Sequence, residues 1–216
     1  MKTIHSSTAG SGNRARRSAG FTLLEVLVVI LVMSIGMLGI AGLQVATSRY
    51  KISAWSRAST AVLFSDFADR VRANPDQAGL SYFSDGASTS TSAYTLNADW
   101  STQSSATLTV ATDCLSTACT AAERAAYDMT IWRQQVRRQL PQGAVIVSGN
   151  RTSGMTVSMM WFDKQFLKVD NTLDTSNSCE TVKGASTYAV AAMSNCCPDA
   201  AAAPVGVRCV NFSFVP

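Results

Sequence analysis

Residues 16–43 read RRSAGFTLLEVLVVILVMSIGMLGIAGL, and this stretch decides how the rest of the chain is organised. From Phe21 to Leu43 it holds a single formal charge, Glu25, in 23 residues. As a helix rising about 1.5 Å per residue it covers roughly 35 Å, slightly more than a hydrocarbon core of about 30 Å. A secretory signal is the competing reading, because a basic stretch precedes an apolar one. The run exceeds the usual signal length, no small-x-small cut site follows it, and an acid lies five residues into it. Lys2, Arg14, Arg16 and Arg17 precede the run and would keep the amino end in the cytoplasm, with the bulk of the chain facing outward.

Glu25 needs an explanation. An ionised carboxylate at membrane depth costs about 2.5 to 3.5 kcal/mol on insertion scales, so it requires a partner or a place near the interface. An acid in the first turn of a helix is favoured by the helix dipole, which accounts for an interfacial Glu25 without any function. Cutting after Gly20 gives the second account. It creates an amino group on Phe21, a positive charge able to pair with the Glu25 carboxylate of a neighbouring copy inside an apolar bundle. Gly36, Gly39 and Gly42 recur every three residues near the end of the run. They allow either a local loosening of the helix, at about 1 kcal/mol per Gly relative to Ala, or close helix packing through small residues.

The segment GFTLLEVLVVILVMSIGMLGIAGLQ, residues 20–44, resembles the leader junction and helix start of type IV pilins and pseudopilins. The resemblance implies that a membrane prepilin peptidase cuts between Gly20 and Phe21, that the new Phe21 terminus is N-methylated, and that Glu25 docks on the Phe21 amine of an adjacent subunit. The 20-residue leader is longer than is usual in major pilins. The family further implies a subunit held in the bilayer before assembly, single-pass in the inner membrane with a periplasmic head, and later part of a surface pilus. Its partners would be major and minor pilins, met through the N-terminal helix, and the inner-membrane assembly platform. A minor pseudopilin of a type II secretion system shares the same leader and stays open as an alternative.

The fold class expected is α+β: a long N-terminal helix, half transmembrane and half amphipathic, packed on a small antiparallel sheet. The divisions are a removed leader at 1–20, an assembly helix at 21–43, an amphipathic continuation at 44–73, and a head at 74–216 with an inserted helix near 120–140. Past Leu43 no Pro interrupts until Pro75, and Val45, Ile52, Val62, Leu63, Phe67 and Val71 fall near helical spacing. One helix over 21–73 would run near 80 Å at about 1.5 Å per residue. Residues 84–107 are dominated by Ser, Thr, Ala, Asp and Gly and predict loop, with Tyr94 and Trp100 as isolated aromatics. Thr120-Ala-Ala-Glu123 has capping-box spacing. Ala125, Met129, Trp132, Val136 and Leu140 then form one apolar stripe, with Arg124, Arg133 and Arg137 on a solvated opposite face, until Pro141 and Gly143 end the helix. Strands are predicted at 144–148, 155–162 and 207–215, with shorter ones at 166–169 and 187–191. The run from Cys114 and Cys119 through ERAAYDMTIWRQQVRRQLPQGAV to VSMMWFD is similar to minor members of the pilin family.

Composition removes other functions. The formal charge of +4 sits in the first 20 residues, leaving 14 basic and 14 acidic groups from Phe21 onward. A formally neutral remainder lacks the cationic surface on which most nucleic-acid binding rests, so no nucleic acid is expected as a direct partner. His5 is the only histidine and lies in the leader. A mature chain without it has no histidine triad and no histidine metal site. No carboxylate pair or nucleophile motif is evident, so neither enzymatic activity nor a cofactor is expected. A signal-anchored periplasmic enzyme built on acids or hydroxyls is the rival from another class.

All six cysteines follow the apolar run, at Cys114, Cys119, Cys179, Cys196, Cys197 and Cys209. An even count on the outward side reads as disulfides in an oxidising compartment. Fifteen full pairings are possible. Cys114 with Cys119 is favoured by their shared short loop. A bond between adjacent Cys196 and Cys197 strains peptide and disulfide geometry, so these two are expected to divide Cys179 and Cys209 between them. Zinc is disfavoured by the missing histidines and the lack of paired two-residue spacings.

Overall fold

The computed structural model describes residues 20–79, 91–184 and 190–216. Residues 1–19 of the expected 1–20 leader, with its basic residues and His5, therefore lie outside the described residues, as do 84–90 of the expected loop. Two compact units divide between Thr47 and Ser48. The fold is α+β, as expected, with one long helix and a three-stranded antiparallel sheet.

Helix α1 (Leu23–Ala73) starts at a threonine cap: the Glu25 N–H donates to Thr22 Oγ1 at 3.3 Å and the Val26 N–H to the Thr22 carbonyl at 3.2 Å. It runs unbroken through Gly36, Gly39 and Gly42. In the first unit the apolar side chains of this helix are exposed, from Leu23 at 78 % to Leu43 at 66 %.

The second unit contains the core. Ser56, Ser59, Thr60, Leu63, Phe67, Ala68 and Val71 recur at three- and four-residue steps and are buried along one side of α1. Val45, Ile52 and Val62, expected to belong to the same stripe, are exposed at 56 %, 60 % and 65 %. Helical spacing alone does not reveal which apolar residues find a neighbour. Helix α2 (Trp100–Ser105) and helix α3 (Ala121–Gln139) precede strands β1 (Ala144–Asn150) and β2 (Gly154–Phe162). Short helices α4 (Cys179–Gly184) and α5 (Val190–Met193) then lead to β3 (Val207–Phe214). The sheet order is β1-β2-β3, with Val145 opposite Met159 and Met159 opposite Val210.

Period-two alternation sorts the strand residues. Val145, Val147, Met155, Val157, Met159 and Trp161 face the main core with Leu63, Phe67, Val71 and Trp132, and Val210 and Phe214 pack against it. The methionines are packing residues there. Phe67 lies 4.3 Å from the Trp132 ring and Phe64 stacks on Phe212 at 4.7 Å, while Trp132 Nε1 donates to the Leu63 carbonyl at 2.8 Å. Ala144, Ile146 and Met160 point to the opposite face and form a second cluster with Cys197, Ala201, Val207 and Cys209.

Several local expectations are corrected. Trp100–Ser105 is helical: Asp99 caps it, accepting from the Thr102 N–H at 2.8 Å. Hydrogen bonds from the Ser101 hydroxyl and from the Thr102 backbone and hydroxyl hold the Asp99 carboxyl well below the usual carboxylate range. Buried Gln103 then pairs with β1, donating to the Val145 carbonyl at 2.7 Å and accepting its N–H at 3.2 Å. Tyr94 is wholly buried, and Leu96 bridges to Val147. The strand expected at 166–169 is reduced to one bridge between Leu167 and Leu173. Of 187–191, residues 187–189 lie outside the described residues and Val190 begins α5. The α3 arginines are not uniformly solvated. Arg133 and Arg137 are half-buried, and Arg137 donates to the Ala106 carbonyl. Burial, with the neighbouring Arg137 charge, lowers the Arg133 pKa.

The capping box is complete: Thr120 Oγ1 accepts from the Glu123 N–H, and the Glu123 carboxylate accepts from the Thr120 N–H at 2.8 Å. The backbone and hydroxyl donors of Thr120 lower the Glu123 pKa. A depressed carboxylate stabilises the fold above its unfolded pKa and loses that contribution as pH falls through the folded value. Thr120→Ala should cost about 1 kcal/mol at neutral pH. Urea titrations should also show the gap between wild type and variant narrowing, without closing, as pH falls below the unfolded carboxylate range, because the Thr120 hydroxyl bond to the carboxylate titrates while its bond to the Glu123 N–H does not.

Candidate functional site

Gly20 and Phe21 lie outside the helix, in the non-helical residues ahead of the Thr22 cap. Phe21 is 80 % exposed, and no neighbouring heavy atom lies within 4 Å of where a Gly20 Cβ would stand. The Gly20–Phe21 peptide is thus non-helical and exposed among the described residues. Glu25 occupies the third helical position, where the dipole favours an acid. Its side chain is exposed and enters no ion pair among the described residues. The spacing Thr22-Leu-Leu-Glu25 was readable as a helix start by the same rule that located α3, although only the threonine half of that box is made.

The helix beyond is chemically plain. An 18-residue window of mean hydropathy 2.7 has none of its residues buried, so the segment is long and apolar enough to cross a membrane by length and composition. An uninterrupted apolar surface of this size far exceeds what soluble monomers expose. Around Gly36, Gly39 and Gly42 no neighbouring atom lies within 4 Å of a built Cβ, so the small-residue face is open to another helix.

The second unit offers a different inventory. Arg70 joins Asp66 at 3.0 Å and Asp128 at 3.1 Å, the Tyr94 hydroxyl donates to Asp128 at 3.1 Å, and Asn74 donates to the Tyr94 hydroxyl and the Ala121 carbonyl. Burial lowers the Arg70 pKa, but the hydrogen bonds and charges of Asp66 and Asp128 outweigh it and leave the value raised. Burial first, and then the Asp128 charge, pushes the Tyr94 phenol above its usual range. This network joins α1, the Tyr94 loop and α3. Its hydrogen bonds and ion pairs hold those three elements together. Arg208 Nε lies 2.9 Å from Asp163 Oδ2 as an ion pair without hydrogen-bond alignment, and its guanidinium sits 4.2 Å from the centre of the Phe166 ring.

The cysteines form three disulfides, Cys114–Cys119, Cys179–Cys196 and Cys197–Cys209. No group of three or more His, Cys, Asp or Glu side chains is arranged to hold a metal among the described residues. An open groove of about 940 Å³ runs over the outer sheet face, floored by Ser148, Thr156, Ser158, Asn211 and Ser213. Its floor side chains bond one another, Ser158 to Asn211 at 2.6 Å and Thr156 to Ser213 at 3.2 Å.

Residues 15–41 match the prokaryotic N-terminal methylation motif. No curated protein and no solved structure matches the chain. The matched residues contain Gly20, Phe21 and Glu25, and the motif supports the type IV pilin and pseudopilin family, a pilin-like protein of a type IV pilus or a related secretion system. Motif and apolar helix together fit a membrane-anchored pilin. A chain beginning at Ser48, exported to an oxidising compartment, should fractionate as soluble protein, whereas the full chain should sediment with membranes until detergent is added. Membrane recovery of the shortened chain would show that exposed α1 residues beyond Thr47 suffice for attachment.

Proposed function

We propose that this protein is a minor pilin of a type IV pilus, most like the type IV pilus modification protein PilV, and that it works by assembly rather than catalysis. The observation carrying the proposal is the coincidence, within six residues, of an exposed, non-helical Gly20–Phe21 junction, a Thr22-capped helix start and a Glu25 without an ion pair among the described residues, all ahead of an apolar surface that no described residue covers. The resemblance of the Cys114 to Asp163 region to that protein supports the finer assignment.

The steps are those the family resemblance implies, set against the chemistry of these residues. In the inner membrane the apolar helix is solvated by lipid, with the head in the periplasm. A prepilin peptidase hydrolyses the Gly20–Phe21 peptide, releasing the basic leader and leaving an ammonium on Phe21, which is then methylated. Methylation keeps the charge. Extraction from lipid into a bundle of major and minor pilin helices gains little hydrophobic energy, because acyl chains and apolar side chains are alike. Packing and polar contacts therefore decide the outcome. The Phe21 ammonium and the Glu25 carboxylate of an adjacent subunit can pair inside that bundle, and a mismatched register leaves a buried charge uncompensated, at several kcal/mol. The pair thus sets axial position.

Intact-mass measurement of the protein from its native host should give a chain beginning with methylated Phe21. Gly20→Leu should retain the leader and run larger on a gel. Glu25→Ala should be cut and stored in the membrane at wild-type level, yet be depleted at least about tenfold from sheared pili, since one unpaired ammonium in the bundle is worth more than 1.4 kcal/mol. A chain that still begins at Met1 while functioning normally overturns the reading. Association of the wild-type subunit with a secretion complex instead of pili would select the pseudopilin alternative.

A further inference from the structure

The vicinal cysteines pose a problem of choice. Cys196 and Cys197 have Cα atoms about 3.8 Å apart, and each could reach the partner of the other after a slip of one residue in the segment before β3. Yet they belong to different environments: Cys196 packs with Cys179 and Val182, and Cys197 with Ala144, Ile146, Met160 and Cys209. Something must set the register of residues 193–197 before the bonds close.

Asn211 sits where it can do so. It is a half-buried β3 residue directly opposite Ser158 of β2. Its backbone N–H donates to the Ser194 carbonyl at 2.8 Å, and its side-chain Nδ2 donates to the carbonyls of Met193 at 2.7 Å and Cys196 at 2.9 Å. The same nitrogen lies 3.6 Å from the sulfur of Cys179 and 3.5 Å from that of Cys196. The Ser158 hydroxyl donates to Asn211 Oδ1 at 2.6 Å, which fixes the orientation of the amide and turns its two hydrogens toward the loop. One amide thus recognises two carbonyls three residues apart. A slip of one residue would offer the amide Ser194 and Cys197, or Ala192 and Asn195, and the Cys197 and Ala192 carbonyls already accept from the Cys179 and Asn195 N–H groups. On the other side of the segment Cys197 is held by its N–H to the Asn177 carbonyl at 2.8 Å and by its carbonyl to the Cys179 N–H at 2.9 Å. That two-sided clamp places Cys196 over Cys179 and leaves Cys197 facing Cys209.

We infer that Asn211, oriented by Ser158, is the positioning residue that selects the Cys179–Cys196 and Cys197–Cys209 pairing over the exchanged pairing, Cys179–Cys197 with Cys196–Cys209. Each bond forms as two thiols give up two protons and two electrons to a disulfide-containing oxidant, which is released as two thiols. Asn211 takes no part in that exchange. It biases which thiol meets which partner. The inference is independent of the pilin assignment, because it concerns only the second unit.

The test is reoxidation of the full chain in detergent. Reduced wild type, Asn211→Ala, Asn211→Asp, Ser158→Ala and the control Ser213→Ala are oxidised in a glutathione redox buffer. Their bonds are then mapped by non-reducing digestion with electron-transfer fragmentation between Cys196 and Cys197. Wild type and S213A should give the native pairing. N211A and N211D should lower the ratio of native to exchanged pairing about tenfold, as expected for loss of buried hydrogen bonds, with S158A between them and wild type. A purely stabilising Asn211 would lower the midpoint of denaturation while leaving the isomer ratio unchanged. Native pairing alone in both N211A and N211D overturns the inference. Should those two fail to accumulate, S158A and S213A decide it, and equal isomer ratios for that pair overturn it.

Discussion

An apolar helical surface that no described residue covers is the constraint on which the rest of this protein depends. Residues 23–47 present side chains of which none in the most hydrophobic window is buried. Soluble proteins do not leave such a surface in water. It must be dissolved in lipid or shared with other helices, and both conditions bear on the head. On the proposed reading, a subunit stored in one medium and used in another has to keep its head folded independently of which medium surrounds the helix. The division of the chain into two compact units at Thr47 and Ser48 is consistent with that requirement.

Within the second unit stability comes from a conventional core with unusual reinforcement at its margins. The last part of α1 lies in the hydrophobic cluster with α3 and the inner sheet face, through Leu63, Phe67, Val71 and Trp132. Polar groups tie the same elements together. Arg70, Asp66, Asp128, Tyr94 and Asn74 satisfy one another at the end of α1, so the buried polar atoms there do not carry the desolvation penalty of unpaired groups. The outer sheet face is treated differently along its length. Cys197, Cys209, Ala201 and Val207 cover one end, and hydroxyl and amide side chains floor the open groove at the other.

Much of this was legible in the sequence, and what was not has physical causes. The alternation of Met155, Val157, Met159 and Trp161 against Thr156 and Ser158 announced β2, because a strand with distinct faces must show period two. The capping box and apolar stripe announced α3. Helix α2 was hidden because Ser and Thr dominate it, and it is held by the Asp99 cap and by Gln103 pairing with Val145, a tertiary contact that local propensity does not encode. Ile52 and Val62 obey helical spacing yet remain exposed, since the pattern marks apolar positions without showing whether anything packs there. Gly20, Phe21 and Glu25 stood out by their order alone, and the matched methylation motif at 15–41 contains all three. The role of Asn211 was not legible, because its partners on the 193–197 segment and on β2 are brought together only by the fold.

The placement of the disulfides has a mechanical meaning. All three bridges close within residues 114–209, and none includes a residue of α1. On the proposed reading, tension carried along α1 would reach the head through the backbone continuing past Ala73 and through the contacts of Leu63, Phe67 and Val71 with Trp132 and of Arg70 with Asp128. The cross-linked segments ending at β3 would stay covalently locked meanwhile. Non-covalent contacts are all that joins the side of α1 to the sheet, so under load that seam would open before any disulfide-closed segment does.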